Sequence, residues 1–531
     1  MKFKSKLLGT ALAAAFVAPA LLSGAAAKDK FNQGQIEGYV GKLSQSQVSQ
    51  ATYDTVCVNI GATPRLISAY DRVVFWEKNL LREIACDHTF DGNGVRPFTQ
   101  GGPTRASRAL AMTSITVYDA LNAFGKPYKP YNNIGRVNAK RADRRAAVSQ
   151  AAHDILVELF PAGQSRLDAL LADDLAQNRA RPRRKAAGRA VGAAAARAMI
   201  ARRASDRSDD PEPQFGQGGR VAGGGTTNFY GDAVNDANVT LFEWTPDPNT
   251  PAASPDATLS LGAYWGDVEP FVIQDGAQFR LPPPPAPGST RFNAAFDEVS
   301  SIGGSPDNQN TTSTGTPATQ FIGNFWGYDA VPLLGVPPRE FNQIAVHVWG
   351  KWGQKNALEL SRYLARLNAV IADAGIGSWD SKWYYQYWRP VTGVRTDDGV
   401  AETNNDATWD PFGVSVINTD DGVRVTPPFP AYPSGHATFS GAAFSIMRAT
   451  FGDNRKFTWV SDEYNGAGFD PVTQTTRPLV PVRFDNFSAA QFDCGISRIY
   501  NGVHWEYDNT RGQEMGMNIA DYLMNVSPEF K

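Results

Sequence analysis

The sequence predicts a mainly α-helical fold made of two helical bundles joined by long irregular connections, with the candidate functional residues in the second bundle. In residues 103–124, apolar side chains recur at the spacing of one buried helix face, and residues 141–160 and 164–177 repeat the pattern. Pro161 and Gly163 break the last two segments apart. With 531 residues, the chain exceeds the size at which single cores usually stop growing, so two helical layers or subdomains are expected.

The middle of the chain has a different composition. A glycine-rich run, a proline run and a polar run follow one another there, at residues 216–225, 282–287 and 305–316. Such runs are typical of connections without regular structure, so residues 205–338 are predicted to form a long, mostly irregular link. Helical spacing returns at residues 338–370 and 439–451. We therefore predict a first domain over residues 28–330 and a second over residues 331–531.

The first 27 residues have the pattern of a secretory signal peptide. Three lysines precede an apolar run over residues 7–22, and three alanines at positions 25–27 form a small-residue cleavage site. A transmembrane span needs roughly 20 apolar residues, so the shorter run favours a cleaved signal over a membrane anchor. We expect a periplasmic or secreted protein that has no membrane span once residues 1–27 are removed.

Charge and cysteine content fit this expectation. Basic and acidic residues nearly cancel, at 51 against 53, so the overall charge does not point to nucleic acid. Cys57 and Cys86 are close enough in sequence to form one disulfide in an oxidising compartment, which would leave Cys494 unpaired. We interpret Cys494 as a small buried hydrophobic residue, with a catalytic thiol as the alternative.

The first candidate motif pairs Lys382 with Arg389, which is followed by Pro390. Seven residues make about two helical turns, so in one helix both cations would lie on the same face, and Pro390 would end that helix. The arginine offers a planar fork to two oxygens, whereas the lysine acts as a point charge. Neighbouring tryptophans and tyrosines would hold both cations in a partly dry setting, which argues against an ordinary surface pair.

The second motif is Pro-Ser-Gly-His at residues 433–436. The Ser434 hydroxyl and the main-chain N–H of Gly435 can bond an oxyanion. A helix beginning near Ser434 would direct the positive end of its dipole at the same place. His436 is then a candidate acid or base, with a purely structural histidine as the alternative.

The third motif contains Arg498, His504 and Asp508. Asp508 lies four residues beyond His504, where its carboxylate could accept the imidazole Nδ1–H and leave Nε2 free as a nucleophile or ligand. A simple helix ion pair is the alternative. Three positive charges are available, on Lys382, Arg389 and Arg498. A tetrahedral oxyanion such as phosphate or vanadate carries up to three negative charges, so the two counts match. The three motifs together predict an oxyanion pocket.

These motifs resemble the family of vanadium-dependent haloperoxidases, which shares its pocket with type-2 phosphatidic acid phosphatases and bacterial class A acid phosphatases. The superfamily pattern is Lys, six residues, Arg-Pro; then Pro-Ser-Gly-His; then Ser-Arg, five residues, His, three residues, Asp. Each fixed position is present, and the likeness covers residues 373–395, 427–448 and 497–508. The 60 residues at 437–496 form a longer gap than phosphatases usually show, which favours the haloperoxidase branch.

The resemblance implies that vanadate is the cofactor and that hydrogen peroxide, halide and a small organic acceptor are the partners. His504 would coordinate vanadium, His436 would bond the apical oxygen and help to deprotonate peroxide, and Lys382 would polarise peroxide for attack by halide. The equatorial oxygens of vanadate would be neutralised by Lys382, Arg389, Ser434, Gly435 and Arg498. The product would be hypohalous acid or an equivalent electrophile. Family analogy also suggests a homodimer.

The sequence leaves alternatives open for both the halide and the type of reaction. Trp379 and Phe429 occupy places that tend to differ within the family, and bromoperoxidases usually have histidine where this chain has Phe429, which favours the chloroperoxidase-like group. A secreted acid phosphatase or phosphatidic acid phosphatase-like hydrolase would use the same pocket, with His504 attacking a phosphate ester and His436 protonating the leaving group. A non-catalytic oxyanion binder is a third reading, against which both histidines argue.

Overall fold

The structure is a computed structural model, and it describes residues 48, 50–91, 93–215, 241–252, 254, 257–309, 311–419 and 422–531. The predicted signal peptide and the glycine-rich run at 216–225 lie outside the described residues.

Helices dominate the described residues. In chain order they are α1 (Ala69–Asp87), α2 (Gly102–Asn122), α3 (Arg144–Leu159), α4 (Gln164–Gln177), α5 (Pro182–Arg203), α6 (Thr290–Ile302), α7 (Pro317–Phe325), α8 (Pro337–Trp352), α9 (Ala357–Tyr385), α10 (Pro390–Arg395), α11 (Gly435–Phe451), α12 (Phe487–Tyr500) and α13 (Glu506–Asn525). A short helix at Gln50–Tyr53 continues as a π-helical turn at Asp54–Val58. The mainly α-helical fold predicted from the sequence is confirmed.

The few strands lie between α11 and α12. They are β1 (Phe457–Trp459), β2 (Phe469–Asp470), β3 (Thr475–Thr476) and β4 (Val482–Phe484). β1 pairs antiparallel with β4, with Phe457 opposite Phe484, and β2 pairs antiparallel with β3. Single 3₁₀ turns stand at Ala139–Arg141, Pro161–Gly163, Trp265–Asp267 and Asp462–Tyr464.

The link predicted to be irregular contains two helices, so that prediction is wrong for residues 290–302 and 317–325. In α6, Phe292, Ala295, Phe296 and Val299 are buried at helical spacing, and the hydroxyl of Ser289 caps the helix start. α7 begins with a capping box and a proline in its first turn. The apolar spacing and capping residues of α6 and α7 cover only short segments. The surrounding glycine, proline and polar runs led to the prediction of an irregular link.

The site-bearing helices pack closely on one another. α9 lies along α2 of the first half and also contacts α11, which packs against α13. A Cβ atom on Gly441 would lie 2.5 Å from the carbonyl oxygen of Gln513, and one on Gly516 would overlap the carbonyl of Thr438. Glycine is therefore required where the backbones of α11 and α13 approach, and this close approach accompanies the hydrogen bond from the Ser434 N–H, at the start of α11, to the Asp508 carbonyl in α13.

The predicted disulfide is present: Cys57 and Cys86 are joined, with their Cα atoms 5.5 Å apart. It ties the π-helical turn to the end of α1. Cys494 is unpaired and buried, and burial raises the pKa of its thiol well above the ordinary value. A thiol held protonated in this way supports the interpretation of Cys494 as a buried hydrophobic residue.

Across the described part of the chain, the helices all lack the combination of length and hydrophobicity that a membrane-spanning segment requires.

Replacing Gly516 with alanine should destabilise the protein by about 2 kcal/mol, because the added methyl group overpacks the α11–α13 contact. Gly350 is a matched control, since it is an exposed helical glycine with nothing within 4 Å of the Cβ position. Gly350→Ala should stabilise by about 0.5–1 kcal/mol. Chemical unfolding of both variants measures the difference, and equal effects would contradict the packing argument.

Candidate oxyanion site

Lys382 lies in the last turn of α9 and is fully buried. Its ammonium donates to the carbonyl oxygens of Pro430, at 2.7 Å, and Ala431, at 3.0 Å. An ammonium carries three N–H donors, so a further one remains for a ligand. The Nζ atom also lies 5.5 Å from the ring centroid of Trp379 and 5.0 Å from that of Phe429.

The prediction that Arg389 shares a helix with Lys382 is wrong. α9 ends at Tyr385, where Gln386 adopts a left-handed backbone with φ of 48°. Pro390 begins α10 and does not end α9, and Arg389 caps the start of α10. Proline suits a first helical position because it has no N–H to leave unpaired there. The two cations therefore reach the pocket from different elements.

Arg389 is held by backbone oxygens. Its Nε donates to the carbonyls of Pro427, at 3.0 Å, and Phe429, at 2.9 Å, and its Nη1 donates to Val503 at 2.7 Å. Its Nη2 is buried and has no hydrogen-bond partner among the described residues. One arm of the guanidinium is therefore fixed, and the other still has a donor to offer.

The helix predicted to begin at the second motif is present. Ser434 caps α11, which begins at Gly435, and the Ser434 hydroxyl accepts from the Ala437 N–H at 3.4 Å. The Ser434 N–H donates to the Asp508 carbonyl at 2.9 Å, which joins the second and third motifs. A Cβ on Gly435 would lie 3.2 Å from the Trp379 ring, so this aromatic residue leaves little room for a side chain there.

Arg498 lies in the last turn of α12, and its partner was not predicted. Its Nη2 donates to Oδ1 of Asp329 at 2.6 Å and its Nη1 to Oδ2 at 3.2 Å, while its buried Nε has no hydrogen-bond partner in the described structure. Asp329 lies in the loop between α7 and α8 and is 169 residues away in sequence. The one available signal was general: a buried arginine requires an acceptor.

The predicted bond between His504 and Asp508 is present. Nδ1 of His504 lies 2.9 Å from Oδ2 of Asp508, which also accepts the Trp505 N–H at 3.0 Å. His504 precedes α13, so Asp508 reaches it as a capping residue and not from within a shared helix. Since a carboxylate accepts at Nδ1, Nε2 keeps its lone pair. Burial and the neighbouring cations lower the pKa of His504 well below its ordinary value.

His436 lies on the first turn of α11. Its Nε2 is 2.7 Å from the carbonyl oxygen of Gly327 and 3.9 Å from Oδ1 of Asp329. A carbonyl oxygen can only accept, so Nε2 carries the hydrogen and Nδ1 the lone pair. Burial, followed by the charge of Arg498, lowers the pKa of His436 to about 3, which keeps the imidazole neutral.

These elements meet at one cavity of about 270 Å³. Its wall includes Asp329, Trp379, Phe429, Gly435, His436, Arg498 and His504. Lys382, Arg389 and Ser434 do not line the cavity and are buried beside it. The structure thus brings all three predicted motifs together and adds Asp329 to them.

The electrostatics of the pocket fit an anion. Burial lowers the pKa of Arg389 to about 9 and that of Lys382 well below its ordinary value, and repulsion from the other cations adds to both effects. A bound anion would oppose this destabilisation, and the free donors on Arg389 and Arg498 could bond its oxygens. No group of His, Cys, Asp and Glu among the described residues suits a metal cation. The residues present therefore fit a tetrahedral oxyanion such as vanadate or phosphate.

Comparison with known proteins shows which family this chain resembles. Residues 362–530 match the family described as the VCPO second helical-bundle domain. The fold and the site are thus those of a protein similar to the vanadium-dependent haloperoxidases, and the resemblance predicted from the three motifs is confirmed.

Individual relatives show the same resemblance. Vanadium chloroperoxidase of Curvularia inaequalis is 30% identical over 307 residues, which cover 51% of this chain and 49% of that protein, so the match spans about half the length of each. The crystal structure of the first bacterial vanadium-dependent iodoperoxidase has a TM-score of 0.64 at 21% identity, over 87% of this chain and 98% of that one. A holo-type bacterial vanadium-dependent chloroperoxidase has a TM-score of 0.55 at 17% identity, over 82% and 95%. These structures share the fold.

A protein in which His436 is replaced with glutamine should lose less stability in acid than the unmodified protein does. The folded-state pKa of about 3 lies below the ordinary value of 6.5, so between these pH values the unfolded chain binds the extra proton and stability falls as pH falls. His436→Gln removes this contribution, and its thermal midpoint should depend less on pH from about pH 7 to about pH 4.

His153 is the control with the opposite sign. Burial lowers its pKa, but hydrogen bonds to Asp154 and Asp168, both at 2.8 Å, raise it overall. Its contribution is therefore fully present below its unfolded pKa and is lost as pH rises through its folded pKa. His153→Gln should lose most stability in acid. Parallel pH profiles for the two variants would show that the assigned protonation states are wrong.

Proposed function

We propose that the protein is a vanadate-dependent haloperoxidase, which oxidises halide with hydrogen peroxide to hypohalous acid or an equivalent electrophile. The observation that carries the proposal is the combination of three buried cations with two neutral histidines around one cavity. Binding an oxyanion requires only the cations and N–H groups. Two imidazoles kept neutral within reach of the same pocket indicate proton transfer and ligation as well.

Vanadate would be held by the side chains that still have donors or a lone pair to offer. These are Lys382, Arg389 and Arg498, with Nε2 of His504 as the ligand atom and the Ser434 and Gly435 groups at the start of α11 as further donors. When bound, vanadate supplies a Lewis acid that activates peroxide without a change of oxidation state. Asp508 keeps His504 in the tautomer that presents Nε2.

The remaining residues handle protons and halide. The neutral imidazole of His436 can take the proton that peroxide loses on entering the site, and Lys382 can polarise the activated oxygen. Halide then gives two electrons to that oxygen, so one halide, one peroxide and one proton yield hypohalous acid and water. Trp379 and Phe429, with ring centroids 4.8 Å apart, form an apolar wall that would reduce the hydration of the entering halide.

The phosphatase reading uses the same atoms and is less well supported. It requires His436 to protonate a leaving group, whereas burial holds this imidazole neutral in the structure. The three individual relatives reported above also carry the names of vanadium enzymes. We further propose a periplasmic or secreted location, which the disulfide between Cys57 and Cys86 supports because such bonds persist in oxidising compartments.

The test uses purified protein freed of metal and then loaded with orthovanadate. Peroxide-dependent halogenation of a dione dye, measured with iodide, bromide and chloride in turn, should require vanadate. His504→Ala should reduce the rate roughly a hundredfold or more, because the ligand atom is lost. His347→Ala is the control, since His347 packs against the Trp459 ring and lies outside the cavity wall, and it should retain activity.

Hydrolysis of a phosphate ester is measured in parallel. Hydrolysis by the metal-free protein that vanadate blocks, together with no halogenation by the loaded protein, would overturn the proposal in favour of a phosphatase. Among the halides that the loaded protein oxidises, the one that is most difficult to oxidise would define its class of haloperoxidase.

A further inference from the structure

The segment that carries the four strands has no role in the proposed function, yet it contacts the wall of the cavity. It covers residues 457–484, between the second and third motifs. The 3₁₀ turn at Asp462–Tyr464 lies within it, and the middle residue of this turn is Glu463. The Glu463 side chain is fully buried and does not line the cavity. A buried carboxylate is costly unless donors surround it, so its contacts show what it stabilises.

Glu463 receives hydrogen bonds from three parts of the chain. Its Oε1 accepts the Tyr328 N–H at 3.0 Å, and its Oε2 accepts the Ser415 hydroxyl at 2.7 Å. The guanidinium of Arg477, which is also buried, donates to Oε2 as well. All three contacts come from donors, which a carboxylate satisfies with its two oxygens.

Two of these contacts lead to Asp329. Tyr328 directly precedes Asp329 in the chain, and the Ser415 N–H donates to Oδ2 of Asp329 at 3.2 Å. Asp329 in turn accepts both Nη groups of Arg498, at 2.6 Å and 3.2 Å. Two short links, one through the main chain and one through Ser415, therefore connect Glu463 to the carboxylate that holds Arg498.

The loop that carries Asp329 needs such support. Tyr328 and Ala330, on either side of Asp329, have left-handed backbones with φ of 46° and 63°. Residues other than glycine rarely adopt this conformation, and it persists only where the surroundings hold it. A Cβ on Gly327 would lie 2.5 Å from Oε1 of Glu463, so the loop and the turn are in close contact.

Tyr328 is held at its side chain as well. Its hydroxyl donates to Oε1 of Gln343 at 3.0 Å and accepts the Asp462 N–H at 2.9 Å. Its own N–H donates to Glu463, the residue after Asp462, so one 3₁₀ turn binds both ends of this tyrosine. The Asp462 contact uses the main chain. A substitution at Glu463 therefore removes one of these two contacts and leaves the other in place.

We propose that Glu463 is a positioning residue of the oxyanion site, acting through Asp329 on Arg498. The carboxylate of Glu463 fixes the strained loop, and the loop fixes Asp329. Asp329 then orients the guanidinium so that its Nε, which has no partner within the described residues, can donate to a bound anion. The proposal depends on the oxyanion site and not on the halide oxidation proposed for it.

Glu463→Gln tests the proposal. An amide has one oxygen and one NH₂ group, so it cannot accept at both of the positions where the carboxylate accepts. The loop should relax, and Arg498 should lose its fixed orientation. The affinity of the vanadate-free protein for orthovanadate and for inorganic phosphate, measured by calorimetry, should fall about tenfold. Either anion reports on the pocket whichever reaction the protein catalyses.

Asp174→Asn is the matched control. Asp174 lies in the first half of the chain, pairs with Arg72 at 2.6 Å and is fully buried. It also accepts the Ser149 hydroxyl and, at 3.0 Å, the indole N–H of Trp76, so its donors are an arginine, a serine and an N–H, as for Glu463. Both variants should lose thermal stability, but only Glu463→Gln should lose affinity for the anions. Equal anion affinities in the two variants would reduce Glu463 to a structural ion pair and overturn the proposal.

A double-mutant cycle tests the route through Arg498. Arg498→Lys removes the planar fork that Asp329 holds. If Glu463 acts through this fork, adding Glu463→Gln to Arg498→Lys should change the anion affinity little, because residues that act through one another are not additive. A further fall as large as that in the unmodified protein would show that Glu463 acts by another route, and it would overturn the proposal.

Ser415→Ala decides the question if Glu463→Gln does not fold. It removes one donor to Glu463 without leaving a charge unpaired, and the Ser415 N–H that bonds Asp329 remains. Anion affinity should fall in the same direction by less than tenfold, and an unchanged affinity would overturn the proposal. Absence of halogenation in a protein whose anion affinities follow these expectations would overturn the proposed function and leave the role of Glu463 intact.

Discussion

The burial of three cations in one pocket is the constraint on which the C-terminal half of the chain depends. Lys382, Arg389 and Arg498 are each at most 1% exposed. Burying a charge costs several kcal/mol unless oxygens compensate for the lost water. Backbone carbonyls supply these oxygens for the first two cations, and the carboxylate of Asp329 supplies them for the third. The segments that surround the pocket must therefore bring their oxygens to about 3 Å from the cations.

The same burial decides which groups carry protons. Burial, with the neighbouring cations adding to it, lowers the pKa of His436 and of His504 below the ordinary range, and burial raises the pKa of Asp508 to about 7. Fixed positive charge and neutral imidazoles thus coexist within one cavity. A pocket of this kind can attract an anion and still take up a proton, and neither property requires a moving part.

Local patterns were predictable and long-range partners were not. The bounds of α4 follow from apolar spacing within the segment itself, and the start of α11 follows from Ser434 as a capping residue. The three motifs identified the pocket because each fixed residue type has its own chemical reason. Asp329 and Glu463 could not be found in this way, since Asp329 meets Arg498 across 169 residues of sequence and Glu463 meets Tyr328 across 135. Arg389 was misplaced because the spacing of seven residues did not reveal that α9 ends at Tyr385, before the left-handed Gln386.

Apart from that of Val503, the carbonyl oxygens that hold Lys382 and Arg389 belong to one segment, at Pro427, Phe429, Pro430 and Ala431. A carbonyl is present at every residue, so exchanging a side chain in this segment does not remove the acceptor. Phe429 can therefore change its ring for another group while its backbone still anchors Arg389. Under the proposed function, anion retention and halide preference would thus be encoded in different parts of one residue. For such an enzyme, natural variation at this position would alter selectivity in a single substitution without first passing through a form that has lost its bound anion.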